Sequence, residues 1–321
     1  MKPLLKPLAC GALLFVVPAL SFASCGAAFC LVNTDWGSQG VWTEPGVRAD
    51  VRYEYIDLDQ PRNGRDRVGV GQIPRDHDEV QTVNRNVVTA IDYGFSPVLS
   101  FSLALPMVDR DHRHIHNDPG AAQIETWQFR KLGDVRLQGR YQLMAGGDDA
   151  AHLSSAGVIF GVKLPTGKHD VANGEGEVAE RTLQPGTGTT DLVIGAYYQA
   201  ALPLHGASWF ARAAATLPAN SRDHYKPGKS LGLDGGYRYE LNDNVALVAQ
   251  ANFSAKDRDS GAEAEPEDSG SRTLSVSPGI VFTLGRNAQL YAFVQKPVYQ
   301  SVNGVQLTAS WSWLMGVSAR F

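Results

Sequence analysis

From Gly46 to the C-terminus, apolar and polar side chains alternate along segments of about ten residues. In the first of these segments, Val47 and Val51 interleave with Arg48 and Asp50. Successive side chains of a β-strand point to opposite faces, so such a strand has one apolar face and one charged face. The same alternation returns at 135–143 and 231–240. It predicts a chain built from strands, and no long stretch shows the helical 3.6-residue period.

About twelve such segments can be counted, and the connections between them are of two kinds. Short turns follow the even-numbered segments, and longer loops rich in Gly, Pro and Asp follow the odd-numbered ones. This one-sided difference is typical of bacterial outer-membrane barrels, with tight periplasmic turns and long external loops. The segments are 46–57, 82–94, 98–107, 126–143, 153–164, 189–200, 207–217, 229–240, 245–255, 272–283, 288–296 and 306–321. The longer loops are 58–81, 108–125, 165–188, 218–228, 256–271 and 297–305.

An even number of strands returns both chain ends to the periplasmic side. A sheet can cross a bilayer only when it closes on itself, because each backbone N–H and C=O in the hydrocarbon needs a protein partner. We therefore predict an all-β protein, a single antiparallel up-and-down transmembrane β-barrel of about 12 strands formed by residues 46–321. It would lie in the bacterial outer membrane, in contact with outer-membrane lipid.

The last segment gives a second indication of this location. Counting back from the terminal Phe321, every second residue is apolar as far as Ala309. Such a strand resembles the signal by which the barrel-assembly machinery recognises outer-membrane barrels. We therefore expect that machinery to be a partner of this chain.

Residues 1–23 have the features of a secretory signal peptide. Lys2 and Lys6 precede an apolar run, and the small residues around Ala23 form a cleavage site. A retained transmembrane helix is the less favoured interpretation, because the apolar run is short for a bilayer.

The segment 24–45 would then be the periplasmic start of the mature chain. It contains Cys25 and Cys30, which we predict to form one disulfide in the oxidising periplasm. Two alternatives stay open, namely a redox or metal-binding pair and lipidation of Cys25. The segment is long enough to enter the barrel from the periplasmic side as a plug.

Composition excludes several other classes of protein. The formal net charge is −4, so no basic excess indicates nucleic-acid binding. Hydrophobic residues make up 43% of the 321 residues, which is too many for a disordered chain. Repeated apolar runs of about 20 residues, which helical membrane proteins need, do not occur.

If the apolar faces meet lipid, the opposite faces line the lumen and carry nearly balanced charges. Facing lipid, each of these groups would cost a few kcal/mol near the midplane. They either brace the barrel through ion pairs or line a polar translocation path, and the two interpretations are compatible. The positive groups are Arg48, Arg52, Arg136, Arg140, Lys163, Arg212, Arg238 and Arg320. The negative groups are Asp50, Glu54, Asp92, Asp134, Asp191, Asp234 and Glu240.

Few residues indicate metal binding or catalysis. In an extended segment, His112, His114 and His116 would share one face, as a copper, zinc or nickel site requires. They fall in an expected external loop, where solvated polar residues are common, so they are only a weak candidate for a metal site. Residues 76–78 have an acid–histidine–acid order that resembles parts of membrane hydrolases, but no nucleophile accompanies it. We expect no enzyme activity and no cofactor.

One stretch resembles a known family. The run 158–167 ends in Lys-Leu-Pro-Thr-Gly and is followed at 186–191 by Gly-Thr-Gly-Thr-Thr-Asp. Together with 133–135 and 141–143, it is similar to transporter-like outer-membrane proteins linked to the meta-pathway of phenol degradation. The resemblance implies a barrel for the uptake of small, often aromatic, compounds, and it supplies no site residues. From both arguments we expect a passive channel for small molecules, the alternative being an accessory barrel that displays loops or captures metal.

Overall fold

The computed structural model describes residues 29–41, 44–118, 121–147 and 153–321. The predicted signal peptide and Cys25 lie outside these residues. The described part contains fourteen strands and two short 3-10 helices, Trp36–Gln39 and Pro203–His205. The strands are β1 Gly46–Asn63, β2 Asp66–Arg67, β3 His77–Ser96, β4 Leu99–Asp118, β5 Ala121–Leu132, β6 Val135–Gly146, β7 Leu153–Leu164, β8 Asp191–Leu202, β9 Ala207–Pro218, β10 Ser230–Asn242, β11 Val245–Lys256, β12 Ser271–Leu284, β13 Ala288–Val302 and β14 Val305–Arg320.

The strands form one closed antiparallel barrel. Apart from β2 and β5, strands that follow one another in the chain are neighbours in the sheet. Strand β14 closes the barrel by pairing with β1, where Val51 lies opposite Val317. Strands β5 and β6 both pair with β4, at its outer and inner halves, so together they occupy one position in the barrel. The short β2 only extends the end of β1. The barrel therefore has twelve strand positions, and the predicted all-β fold is confirmed.

The two faces of the barrel wall have the predicted character. Val51, Leu137 and Leu233 are 42%, 43% and 41% exposed on the outer surface. On the same strands the charged side chains point inward, as the buried Arg48 and Asp50 do. The apolar surface is the one that contacts lipid, because apolar side chains that face lipid are not exposed to water. Within the described residues, no helix is long and apolar enough to cross a membrane.

Aromatic side chains mark both edges of the apolar band. On the outer side of β1 and β14, Tyr55 and Trp313 stack with ring centroids 5.7 Å apart. Near the periplasmic turns, Tyr93 and Phe95 make an edge-to-face contact at 6.4 Å. Such girdles occur where a barrel passes from hydrocarbon into the lipid headgroups.

For three of the predicted external loops the prediction was wrong, because strands continue into residues that were expected to be loop. Strand β1 runs to Asn63, β4 and β5 form a hairpin across most of 108–125, and a turn of two residues joins β13 to β14. Above the membrane the outward residues become polar, as at Asp57 and Asp59, while Ile56 and Leu58 are buried inside. Above the membrane a strand is surrounded by water and has charged residues on its outer face. In the sequence, this polar pattern resembles that of a loop.

Candidate functional site: the lumen and its outer mouth

The described part of the N-terminal segment, 29–41, lies inside the barrel. Its 3-10 helix begins after Asp35, whose carboxylate accepts a hydrogen bond from Ser38 N at 3.2 Å. Trp36 is fully buried against Tyr291 and Phe293, with ring centroids 4.9 and 6.5 Å away. This apolar contact with the wall anchors the segment.

Polar contacts align the same segment along the wall. Asn33 N donates to Gln250 Oε1 at 3.0 Å, and Gln250 Nε2 donates to Asn33 O at 3.0 Å. Leu31 N donates to Gln295 Oε1 at 3.1 Å. Side chains of the wall thus provide hydrogen-bond partners for the backbone of Leu31 and Asn33 inside the lumen.

The surroundings of the segment shift the pKa values of two of its ionisable groups. Burial and the Glu54 carboxylate raise the pKa of the Cys30 thiol. For Asp35, burial opposes ionisation, but the guanidinium groups of Arg140 and Arg212 outweigh it and lower the pKa. The predicted Cys25–Cys30 disulfide stays a prediction, because Cys25 lies outside the described residues.

Beside the segment, a cavity of about 390 Å³ remains within the barrel. Its lining combines charged groups with apolar side chains such as Ile159 and Val193. The charged residues that contact it are Asp35, Glu44, Arg48, Asp50, Arg52, Asp92, Arg136, Arg140, Arg212, Asp234 and Arg320. Nine of these were predicted from the sequence as lumen residues, whereas Asp35 and Glu44 were missed because they precede the first strand.

Most of the predicted lumen charges form ion pairs. Arg48 lies 2.5 Å from Asp92, Arg52 lies 2.8 Å from Glu54, and Arg212 lies 3.2 Å from Asp234. Asp50 accepts hydrogen bonds from Tyr291 and Trp36. Arg140 donates to the backbone oxygen of Gly37 and thereby contacts the N-terminal segment. At the periplasmic end, Arg238 lies 3.7 Å from the exposed Glu240.

Arg136 and Arg140 are the two predicted lumen cations for which the described residues supply no ion pair, and Arg140 is bonded to Ser100 and Gly37 instead. Arg136 lies on β6 at the cavity, its side chain is exposed to the lumen, and it forms no ion pair with any described residue. The carboxylates of Asp191 and Asp134 and the guanidinium groups of Arg52 and Arg212 all act on it electrostatically. Arg136 thus presents a guanidinium group without an ion pair to the cavity.

The residues of the family-like stretch form a buried polar knot around Asp134, which lies in the gap between β5 and β6. Lys163 contacts Asp134 at 3.0 Å and Asp191 at 2.9 Å. Gly167 N and Thr187 N donate to the two oxygens of Asp134 at 3.0 and 2.9 Å. The knot thus fixes both ends of the loop 165–190 to the inner wall.

That loop and its neighbours cover the outer mouth of the barrel. Arg110 of β4 donates to the backbone oxygen of Leu183 and holds the loop against the inner face of that strand. The guanidinium of Arg181 lies 4.9 Å from the centre of the Tyr225 ring, and Tyr225 donates to Asp259 at 2.9 Å. The loops 165–190, 219–229 and 257–270 therefore form one connected cover.

The histidine run lies beneath this cover. The expectation of a solvated loop was wrong, because His112, His114 and His116 lie on β4 and the first two are buried inside the barrel. They share one face as predicted, and the rings of His112 and His114 meet edge to face at 5.5 Å. In this part of β4 the charged residues lie on the outer face, which contacts water, and the histidines lie on the inner face.

The structure brings other residues to these histidines. His77 and Glu79 come from β3, and Glu180 comes from the loop, with His77 Nε2 only 3.3 Å from Glu180 Oε1. The sequence showed His77 only within a weak hydrolase-like pattern, and nothing in it connected Glu79 or Glu180 to the cluster. Burial, together with the carboxylates of Glu180 and Glu79, raises the pKa of the nearby Glu265 to about 11.

The geometry defines the class of protein as an outer-membrane β-barrel, and comparison with known proteins agrees. The family described as "Putative MetA-pathway of phenol degradation" matches residues 85–315, and the chain belongs to that family. This confirms the resemblance seen at 158–167 and 186–191. No curated protein matches the chain.

Solved structures share the fold. An outer membrane channel from Pseudomonas putida F1 is 12% identical, with a TM-score of 0.61 over 87% of this chain and 96% of that chain. The NanC porin is 11% identical, with a TM-score of 0.43 over 85% and 100%. The translocator domain of the autotransporter NalP from Neisseria meningitidis is 12% identical, with a TM-score of 0.43 over 86% and 88%. The first of these likenesses assigns the barrel to the fold of outer-membrane channels.

Proposed function

We propose that this protein is a passive channel that admits small molecules through the outer membrane. The observation that carries the proposal is the charged cavity of about 390 Å³ inside the barrel, between the N-terminal segment 29–41 and the opposite wall. A barrel that served only as a membrane anchor would need no such cavity, because side chains could fill its lumen, as they do in small barrels. Transport would need no covalent chemistry, only diffusion along the polar wall.

The solutes that fit this lumen best are small aromatic compounds that carry an acidic group. Arg136, without an ion-pair partner among the described residues, offers the charge, and Ile159 and Val193 offer apolar contact in the same cavity. The family description, which refers to phenol degradation, supports the same class of solute. Insertion would depend on the barrel-assembly machinery, which would recognise the C-terminal strand ending in Phe321.

Entry of solutes into liposomes that contain the purified protein tests the proposal. We expect benzoate to enter faster than the neutral benzyl alcohol, once uptake into protein-free liposomes is subtracted. Arg136→Met should remove that preference while leaving passage of the neutral solute. Arg130→Met is the matched control, because Arg130 lies exposed on the outer surface, 3.0 Å from Asp109.

Protein-containing liposomes that take up neither solute above the background would refute the channel. A preference for benzoate that survives in Arg136→Met would refute only the assignment of the solute class.

A further inference from the structure

The buried cluster at the outer mouth has the composition of a metal site. His77 and Glu79 of β3, His114 of β4 and Glu180 of the loop 165–190 each offer one atom that can bind a metal. These atoms all lie within 4.8 Å of one another. The four side chains come from three separate elements, so chain proximity alone does not account for their meeting.

His114 is oriented as a metal-binding histidine would be. Its Nε2 lies 2.7 Å from Glu125 Oε2, which fixes the ring, and its residue is only 5% exposed. The other nitrogen, Nδ1, is buried without a hydrogen bond and lies 3.9 Å from Glu180 Oε1. Histidine ligands of metals commonly donate their second nitrogen to a carboxylate in this way.

His112 lies next to the carboxylate of Glu79. Its Nδ1 lies 2.8 Å from Thr82 Oγ1, and its Nε2 lies 3.6 Å from Glu79 Oε2. His112 is therefore placed behind Glu79, as a residue that positions a ligand.

The charge and the distances suit a divalent ion. Two carboxylates and two neutral imidazoles balance the charge of one such ion, and both carboxylates are buried, where unbalanced charge is costly. In a tetrahedral zinc site the ligand atoms lie about 3.3 Å apart. His77 Nε2 and Glu180 Oε1 already have that separation, at 3.3 Å, and His114 Nδ1 lies 3.9 Å from Glu180 Oε1.

We propose that His77, Glu79, His114 and Glu180 bind one divalent transition-metal ion of the zinc class. Nitrogen and carboxylate ligands together favour this class over calcium or magnesium, which prefer oxygen alone. The ion would connect Glu180 to the wall strands β3 and β4 and so hold the loop 165–190 in the mouth. The site is separate from the lumen cavity, so it stands or fails independently of the channel.

Titration of the folded mature chain in detergent with Co²⁺ tests the site, since Co²⁺ replaces zinc and absorbs visible light in tetrahedral sites. We expect one equivalent to bind, with Zn²⁺ displacing it. His114→Ala and Glu180→Gln should each weaken binding by more than about tenfold. Glu180 lies in a loop, so its variant keeps the barrel intact, and faster migration of unheated protein in SDS gels verifies folding.

His116→Ala is the matched control, because His116 lies on the same face of the same strand but is not one of the four ligands. It should bind Co²⁺ as the wild type does. No binding by the wild type, or binding unchanged in both His114→Ala and Glu180→Gln, would overturn the proposal. Loss in His116→Ala with retention in Glu180→Gln would overturn the assignment of these four ligands.

Discussion

Trp36 is the largest fully buried side chain of the N-terminal segment and packs against apolar residues of the wall. Its ring fills the space beside Tyr291 and Phe293, and its Nε1 donates to Asp50 at 3.4 Å. A buried aromatic side chain contributes more than the surrounding backbone hydrogen bonds, because its removal leaves a cavity. The position of the segment should therefore depend on this one residue.

Trp36→Ala should weaken docking of the segment by about 3–5 kcal/mol. We expect larger and noisier currents in planar bilayers, because the segment would leave the wall part of the time. Trp311→Ala is the control, since Trp311 is exposed on the lipid-facing surface and should leave the currents unchanged. Equal currents from both variants would show that Trp36 does not anchor the segment.

Lys163 has a comparable role in the polar knot. It compensates both Asp134 and Asp191, and all three side chains are less than 10% exposed. Lys163→Met would leave two buried carboxylates without their cation, which costs about 3–5 kcal/mol. Urea unfolding of the refolded barrel should detect this loss, whereas Lys131→Met, at an exposed position, should change stability by less than about 0.5 kcal/mol.

At the scale of elements, the loop 165–190 depends on close backbone contacts. A Cβ on Gly186 would lie 2.5 Å from the backbone oxygen of Gly167, a separation that real structures do not show. Gly174, in the same loop, has no heavy atom within 4 Å of the corresponding position. The two glycines therefore offer a matched pair of substitutions.

Gly186→Ala should displace the loop and expose its half-buried Arg181 to trypsin, so that cleavage after Arg181 becomes several times faster. Gly174→Ala should be cleaved at the rate of the wild type. Mass spectrometry of the fragments locates the cuts. If both variants resist trypsin equally, the knot is not what holds the loop in place.

Sequence patterns predicted some elements better than others. Strands within the lipid band were recognisable, because the bilayer requires apolar residues on one face, as at Val51 and Leu233. The outer halves of β4 and β5 were missed, because no lipid imposes that pattern above the membrane. Glu180 could not be assigned to the histidine cluster, because its position depends on the knot around Asp134, which forms only in the folded loop.

At the scale of the whole molecule, the barrel separates three environments. Apolar side chains face lipid, ion pairs line the lumen, and the connected loops cover the histidine cluster at the mouth. The N-terminal segment occupies one side of the lumen and leaves the charged cavity on the other. The central claim is that this cavity is a route for solutes that the segment narrows.

Single-channel conductance of the wild type and of a variant lacking residues 29–41 tests that claim most directly. We predict small unitary currents from the wild type and distinctly larger ones from the deletion, both proteins having first been verified as folded by their migration in gels. Electrical silence of both folded proteins would contradict the account.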